Sequence, residues 1–512
     1  LVERINGMFA FALWDERRAR LLVARDRVGK KPLYYCDRGG ELSFASELAA
    51  LVEDPAVPRE LDPSSLDVFL AFGYIQAPYT VWRGVRKLPP AHTLVWQDGK
   101  TSVERYWRLD YSQKITGERA ELEGELRERI AASVRRRMIA DVPLGAFLSG
   151  GIDSSIVVSE MAAASAEPVK TFSIGFEHER YNELPNARLI ADRFSTEHTE
   201  FTVQPDAVDL LPTLVRHYGE PYADSSAIPS FYLAELTRRH VTVALNGDGG
   251  DESFAGYLRH PANALSGWID HVPVALRRGL ADLATRAVAA REQRSARAYA
   301  RRYLTTIDEP APDRYAAHVG ILDGAERREI LDSDLARAVD PARAEAVIHD
   351  PWATATGSSR LDVLLQTDVE TYLPGDLLTK MDVATMAYSL EARSPLLDPE
   401  VMEFAASLSP SHKARWAQKK RVLRDAYRYR LPAEILDGPK KGFGVPLADW
   451  FRGELSGWVR EMLLDPQVAA GGLVEASAVE RIVTDHQDGR GDRASAIWAL
   501  LCLEQWRREF AS

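Results

Sequence analysis

The rhythm of apolar and polar positions changes twice along this chain. In the first hundred residues the apolar positions fall in short runs: Met8-Phe-Ala-Phe-Ala-Leu-Trp14, Leu21-Leu-Val-Ala24, Leu33-Tyr-Tyr-Cys36 and Leu42-Ser-Phe-Ala45, separated by polar turns and by Gly29, Gly39 and Gly40. Closely spaced short runs with Gly-rich turns predict an antiparallel sheet. A further pair, at 93–96 and 103–107, flanks Gln97-Asp-Gly-Lys100. Asp-Gly between two strands is a strong hairpin signal. Near Asp110 the spacing becomes helical, with Leu122, Leu126, Ile130, Val134 and Met138 recurring every four residues on one face. Strands at 144–148, 169–176, 199–203 and 241–245 then alternate with helices beginning near Ser154 and Ala187. Such alternation predicts a parallel sheet with helical crossovers. From about Gly256 onward helical patterns dominate. The expectation is an antiparallel front, an α/β core and a helical C-terminal portion.

Composition narrows the class. The 512 residues are 46% hydrophobic and 27% charged, which suits a globular protein of about three domains, or two large ones. With 64 basic and 75 acidic residues the net charge is −11, which argues against a generic nucleic-acid binder. Two cysteines, Cys36 and Cys502, make neither a disulfide framework nor a zinc cluster, so a reducing cytoplasm is expected. The aromatic-rich stretch at 69–82 is interrupted by Gln76 and Pro78 and is too short to cross a bilayer.

The sharpest chemical feature is Leu148-Ser-Gly-Gly-Ile-Asp-Ser-Ser155, which follows an apolar strand and opens a helix. Unpaired N–H groups and the dipole at a helix N-terminus attract anions. Gly150 and Gly151 let the backbone approach closely, and Ser149, Ser154 and Ser155 add hydroxyl donors. No Gly-Lys-Ser/Thr follows, so this is not a Walker A loop. Asp153 inside an anion site implies a divalent cation, Mg²⁺, between carboxylate and phosphate. A second loop, Leu245-Asn-Gly-Asp-Gly-Gly-Asp-Glu252, follows another apolar strand and interleaves glycines with Asp248, Asp251 and Glu252. At the C-terminal end of a parallel strand it faces the crevice where open α/β sheets bind ligands.

The first loop resembles the pyrophosphate loop of the N-type ATP pyrophosphatases, and its pairing with Asn-Gly-Asp-Gly-Gly-Asp-Glu resembles the glutamine-dependent asparagine synthetases. Other stretches carry the same likeness: Phe172-Ser-Ile-Gly-Phe-Glu177, Glu220-Pro-Tyr-Ala-Asp-Ser-Ser-Ala-Ile-Pro229, Ser389-Leu-Glu-Ala-Arg-Ser-Pro-Leu-Leu-Asp398 and Pro439-Lys-Lys-Gly-Phe-Gly-Val-Pro446. At the front, Gly7-Met-Phe-Ala-Phe-Ala-Leu-Trp-Asp15, Arg25-Asp-Arg-Val-Gly-Lys-Lys-Pro32 and Phe44-Ala-Ser-Glu47 resemble the second half of that family's glutaminase domain. The implied architecture is a partial antiparallel glutaminase domain at 1–112, followed at 113–512 by a parallel-sheet synthetase domain of the adenine-nucleotide α-hydrolase-like type.

The resemblance implies ATP-dependent amidation of aspartate to asparagine through a β-aspartyl-AMP intermediate, with release of pyrophosphate and AMP. Leu148, Ile174, Asn246 and Gly247 would line the nucleotide site. Ser149, Gly150, Gly151, Asp153, Ser154 and Ser155 would hold pyrophosphate, and Asp153 and Asp251 would hold Mg²⁺. Lys440 would meet developing negative charge. Asp248 would sit beside the reacting carbonyl and help deprotonate the attacking amine. Glu252, Glu391 and Arg393 are candidate substrate contacts, with a structural ion pair equally open for Glu391 and Arg393. Asn246 stands where the family more often has Ser, and still offers an amide donor. β-Lactam synthetases, lasso-peptide cyclases and polysaccharide-modifying amidotransferases carry similar motifs and adenylate other carboxylates. The implied partners are small molecules (aspartate, ATP, and glutamine or ammonia), with no nucleic acid, no membrane and a homodimer as the candidate assembly.

In that family an N-terminal cysteine hydrolyses glutamine, with its own α-amine as base. Here the chain begins Leu1-Val-Glu-Arg4, and Cys36 and Cys502 read as small buried hydrophobes. The expectation is a natural protein that extends upstream of Leu1, and a chain that uses ammonia rather than glutamine. A partial antiparallel domain is also expected to leave strand edges unpaired.

Overall fold

In the computed structural model residues 1–175, 182–203, 207–287, 303–415, 418–438 and 444–511 are described. The front comprises β1 (Ala10–Asp15), β2 (Arg20–Arg25), β3 (Tyr34–Asp37), β4 (Leu42–Ala45), a helix Pro63–Phe72, β5 (Val85–Lys87), β6 (His92–Gln97) and β7 (Lys100–Arg105). One antiparallel sheet has the order β1-β2-β6-β7, and a second has the order β4-β3-β5. The β6–β7 hairpin pairs Gln97 with Lys100, and Asp98 and Gly99 take φ values of 50° and 73°. That is the left-handed pair a two-residue hairpin turn requires, so the Asp-Gly signal is realised. Val23, Leu33, Tyr35, Leu88 and Leu94 form a small core between these strands. Leu13, Trp14, Phe44 and Val103, all on these strands, are exposed.

Sequence periodicity misses the helix Pro63–Phe72. All ten of its residues are buried, so it carries no polar face to reveal a helical repeat. Its start is nevertheless written locally: Asp62 accepts the Ser64 N–H at 3.1 Å, and Pro63 occupies the first helical position. The helix joins a large core with Phe231, Trp498 and Trp506, and the Trp82 and Trp506 rings lie 5.2 Å apart. Cys36 and Cys502 both lie in this core as free thiols.

The amphipathic repeat near Asp110 becomes the helix Arg119–Arg137, which buries Leu122, Leu126, Ile130 and Val134. After it come β8 (Leu144–Phe147), β9 (Lys170–Gly175), β10 (Glu197–Thr202), β11 (Val243–Leu245) and β12 (Glu391–Arg393). All four pairings are parallel, in the order β10-β9-β8-β11-β12. The short β12 is absent from the sequence reading, because three residues show no alternation. The strand order runs outward from β8 to β9 and β10 on one side, and to β11 and β12 on the other. The loops after β8 and β11 therefore diverge at a topological switch point, where such sheets bind ligands. The remainder is mostly helical and ends in Ala494–Phe510, buried along most of its length. Among the described residues no helix is long and apolar enough to cross a membrane.

Candidate active site

The first loop leaves β8 at Phe147. Leu148 donates its N–H to the Phe172 carbonyl at 2.8 Å, so the chain stays in the sheet one residue longer. It then turns sharply at Gly150, whose φ is +69°. A Cβ there would lie 2.5 Å from the Asn186 backbone, so neither the conformation nor the space admits a side chain. The helix Ile152–Ala164 follows with Gly151 as its N-cap and no side-chain cap. Ser149 Oγ and Ser154 Oγ lie 3.0 Å apart, and Ser149 Oγ accepts the Gly151 N–H at 3.3 Å. Two hydroxyls and an uncapped helix N-terminus thus converge, the arrangement that favours a bound anion.

The second loop leaves β11 at Leu245. Asn246 donates its N–H to the Arg393 carbonyl at 2.9 Å, which ties the loop to β12. Its amide donates to Asp248 Oδ2 at 2.6 Å, and Ser394 Oγ donates to Asn246 Oδ1 at 2.7 Å. Gly247 is packed against the first loop, since a Cβ there would sit 2.8 Å from Asp153 Cβ and from the Ser154 nitrogen. The two loops meet backbone to backbone.

Where they meet, Lys420 bridges them. Its Nζ contacts Asp153 Oδ2 and lies 2.7 Å from Asp251 Oδ1. The Lys420 side chain is 7% exposed and the two carboxylates 16% each. Burial opposes its charge, but Asp153 and Asp251 outweigh that and raise the ammonium pKa above its ordinary value. Lys420 also holds a left-handed backbone, φ 52°, as a non-glycine residue. Such conformations cost free energy and concentrate at functional sites.

These loops line a cavity of about 520 Å³. Of the sequence-derived nucleotide and pyrophosphate residues, Leu148, Ser149, Gly150, Gly151, Asp153, Ser154, Ile174, Asn246 and Gly247 line it, together with Asp248 and Asp251. Ser155 is fully buried and is not among the lining residues. Glu252 lies behind the loop, buried and accepting a hydrogen bond from Tyr257 Oη. Burial, and then the charge of Asp251, push its carboxyl up to about 7. Glu391 and Arg393 do not reach the cavity. They pair with each other at 2.6 Å, and Arg393 also donates to the carbonyls of Arg137, at the end of Arg119–Arg137, and of Ile139 just past it. Lys440 lies outside the described residues.

The fold also brings in cations that sequence reasoning misses. Lys380 donates to Asp224 Oδ2 at 2.6 Å and to Ser226 Oγ at 2.8 Å, on one wall of the cavity. Burial works against the Asp224 anion, yet Lys380 and the Ser226 donors hold its carboxyl at about 2. Nearby Asp376 accepts from Tyr222 Oη at 2.6 Å, and burial followed by Asp224 pushes it up to about 8. Lys419, Lys420 and Arg424 also line the cavity. Lys419 and Lys420 sit in the charged run Gln418-Lys-Lys-Arg421, and Arg424 stands three residues beyond it.

The Mg²⁺ expectation can be tested on the donors present. Asp153 and Asp251 come from different strand ends and converge on one cation, the Lys420 ammonium. Hard carboxylate oxygens suit Mg²⁺, which usually takes only one or two of them and completes its shell with phosphate and water. Among the described residues there is no cluster of three or more metal-ligating side chains. The pair fits a metal delivered with a phosphorylated substrate.

A glycine-rich anion loop and a glycine-rich acidic loop, set side by side at the switch point of a parallel sheet behind an antiparallel front, define an α/β protein with an anion-binding site of the kind that holds phosphorylated ligands. Comparison with known proteins places it further. Residues 125–508 match the asparagine synthase family, and residues 1–107 match the glutamine amidotransferase domain. The chain belongs to the asparagine synthase family. It is 32% identical over 508 residues to Asparagine synthetase (glutamine-hydrolyzing) 1 of Bacillus subtilis (strain 168), covering 98% of this chain and 77% of that protein. It is 34% identical over 526 residues to a putative asparagine synthetase (glutamine-hydrolyzing) of Mycobacterium bovis, covering all of this chain and 78% of that protein. A fungal protein, Amidase chry2 of Gibberella zeae, is 27% identical over 97% of this chain and 77% of its own length.

Proposed function

We propose that the chain adenylates the side-chain carboxylate of aspartate with ATP and transfers ammonia to it, giving asparagine. In this reading residues 113–512 are the synthetase domain and 1–112 belong to a glutaminase domain, in a cytoplasmic enzyme. The observation that carries it is the meeting of the two glycine loops on one cavity, with Asp153, Asp251 and Lys420 at their junction.

The aspartate carboxylate oxygen attacks the α-phosphorus of ATP; a P–O bond forms, and the bond to the β-phosphate oxygen breaks with its electron pair leaving on pyrophosphate. Ser149, Ser154 and the backbone from Gly150 to Ser154 receive the departing pyrophosphate. Lys420 and Lys380 offset the repulsion between two anionic substrates. Mg²⁺, bound through Asp153 and Asp251, would supply further charge neutralisation. In the second step ammonium gives one proton to Asp248, and the nitrogen lone pair attacks the acyl carbon. The C–N bond forms, the C–O bond to AMP breaks with its pair leaving on AMP, and the nitrogen loses its remaining excess proton to solvent.

The two cysteines support ammonia as the nitrogen source for these 512 residues. Both are buried, and burial raises the pKa of each thiol, the opposite of an activated nucleophile. The test supplies ATP, Mg²⁺ and aspartate with ammonium or with glutamine, and measures pyrophosphate and asparagine. Aspartate-dependent pyrophosphate, with asparagine from ammonium only, is expected. Glutamine-supported asparagine overturns the nitrogen assignment. The same assay separates a second reading, a different carboxylate. Pyrophosphate release with another carboxylate but not with aspartate selects it.

A further inference from the structure

The stretch Arg25-Asp-Arg-Val-Gly-Lys-Lys-Pro32 belongs to the antiparallel front, yet it delivers a charge to Asp248, which lines the cavity. Its path is fixed by two buried side chains. Asp26 accepts the N–H groups of Val28 and Lys30 on Oδ1, at 3.2 and 3.0 Å, and that of Lys31 on Oδ2 at 2.9 Å. Arg25 donates to the carbonyls of Gly29, Lys31 and Leu88 at 2.9, 2.7 and 2.7 Å. From this held loop Lys30 extends to Asp248 Oδ2 at 3.3 Å and to Ser394 Oγ at 3.1 Å. Its neighbour Lys31 reaches Asp382 on the helix Thr379–Met386 at 2.7 Å, which pins the loop a second time.

We propose that Lys30 is a positioning residue for amide formation: an ammonium carried by the front of the chain that holds Asp248 in the orientation needed to receive a proton from the incoming amine. This rests on the functional reading above. The Lys30 side chain is 3% exposed and that of Asp248 is 21%, so the cation reaches the carboxylate from within the protein while Asp248 faces the cavity. Among the described residues the side-chain donors to Asp248, from Lys30, Asn246 and Ser394, all fall on Oδ2. Oδ1 is left for the amine. The donors also restrain one another, because Ser394 bonds Asn246 as well. Asp248 is thus oriented by three elements, β11, the start of the segment after β12, and the front loop. The amide-forming site is complete only while that loop is docked.

The test compares wild type, Lys30→Met and Lys30→Arg with ATP, Mg²⁺, aspartate and ammonium, and reads the ratio of asparagine formed to pyrophosphate released. A positioning role predicts that in Lys30→Met this ratio falls by at least about tenfold, because the adenylate forms but is lost to water. Lys30→Arg should recover most of it. A merely structural lysine would lower both products together and leave the ratio unchanged, and that result overturns the proposal. A ratio in Lys30→Met equal to wild type at full rate overturns it too. A second measurement needs no turnover: acylation of Lys30 by a water-soluble amine reagent, followed by peptide mass analysis. Lys30 should be protected in wild type relative to exposed Lys100; equal reactivity of the two lysines contradicts the contact. If wild type releases no pyrophosphate with any carboxylate, the functional reading fails while the labelling still decides the Lys30–Asp248 contact.

Discussion

Removing the Lys420 ammonium tests the junction of the two loops directly. Lys420→Met keeps the length and apolar stem of the side chain but takes the ammonium away from Asp153 and Asp251. Each lysine–carboxylate contact near 3 Å corresponds to about 5 kcal/mol of attraction at an effective dielectric of 20. The desolvation of a buried ammonium offsets several of those kcal/mol, and a net loss of about 3 kcal/mol is expected when one partner of such a cluster is removed. Sign and pH window follow from the shift. The pKa is raised above the ordinary 10.5, so the stabilisation is fully present at neutral pH and fades only as the solution passes above that value. Thermal unfolding at pH 7 should therefore show the variant melting roughly 3 °C below wild type. Loss of the ammonium should also make the variant respond to Mg²⁺: millimolar metal should recover part of the lost stability there and do little for wild type without nucleotide. Equal melting temperatures for both proteins, unmoved by Mg²⁺, would refute the claim that these two carboxylates form one cation site.

Other consequences follow from the same geometry. Asp153→Asn removes one of the two convergent carboxylates and should abolish aspartate-dependent pyrophosphate release; persistence of that activity would overturn the metal assignment. Gly150→Ala forces a Cβ against the Asn186 backbone at a φ of +69°, and should destabilise the protein by about 2–4 kcal/mol and remove ATP-dependent activity. Asp376, with a folded value of about 8 against an ordinary 3.8, is stabilising while protonated, and that contribution is lost as pH rises through 8. Asp376→Asn should then flatten the decline of melting temperature between pH 4 and 8; Asp224, held at about 2, titrates below this window.

What could be read from the sequence was contiguous. The hairpin at Asp98 and Gly99, the every-fourth-residue stripe of Arg119–Arg137 and both glycine loops are each written in a single short stretch, and each forms where expected. The cations in and behind the cavity were not legible, because their significance lies in what they meet. Lys30, Lys380 and Lys420 contact Asp248, Asp224 and the Asp153–Asp251 pair across separations of 218, 156 and up to 267 residues. A lysine in a charged run gives no local sign of burial. The helix Pro63–Phe72 escaped for the opposite reason, since a segment buried on every side has no amphipathic period. Glu391 and Arg393 sat in a recognisable stretch, but their pairing with one another depends on the position of β12 at the edge of the sheet.

The placement of β12 also bears on how the protein folds. β11 and β12 are neighbours in the sheet, yet the chain from Asn246 to Leu390 runs between them. Pairing them requires a long loop to close before the contact gives anything back, and such contacts form slowly. The strands β8, β9 and β10 face no such delay. The β8 loop therefore matures early in folding, whereas Asn246 and Asp248 receive Ser394 only when the sheet's last edge arrives. Hydrogen exchange during refolding should show the N–H groups of β9 and β10 protected well before that of Asn246, which bonds the Arg393 carbonyl.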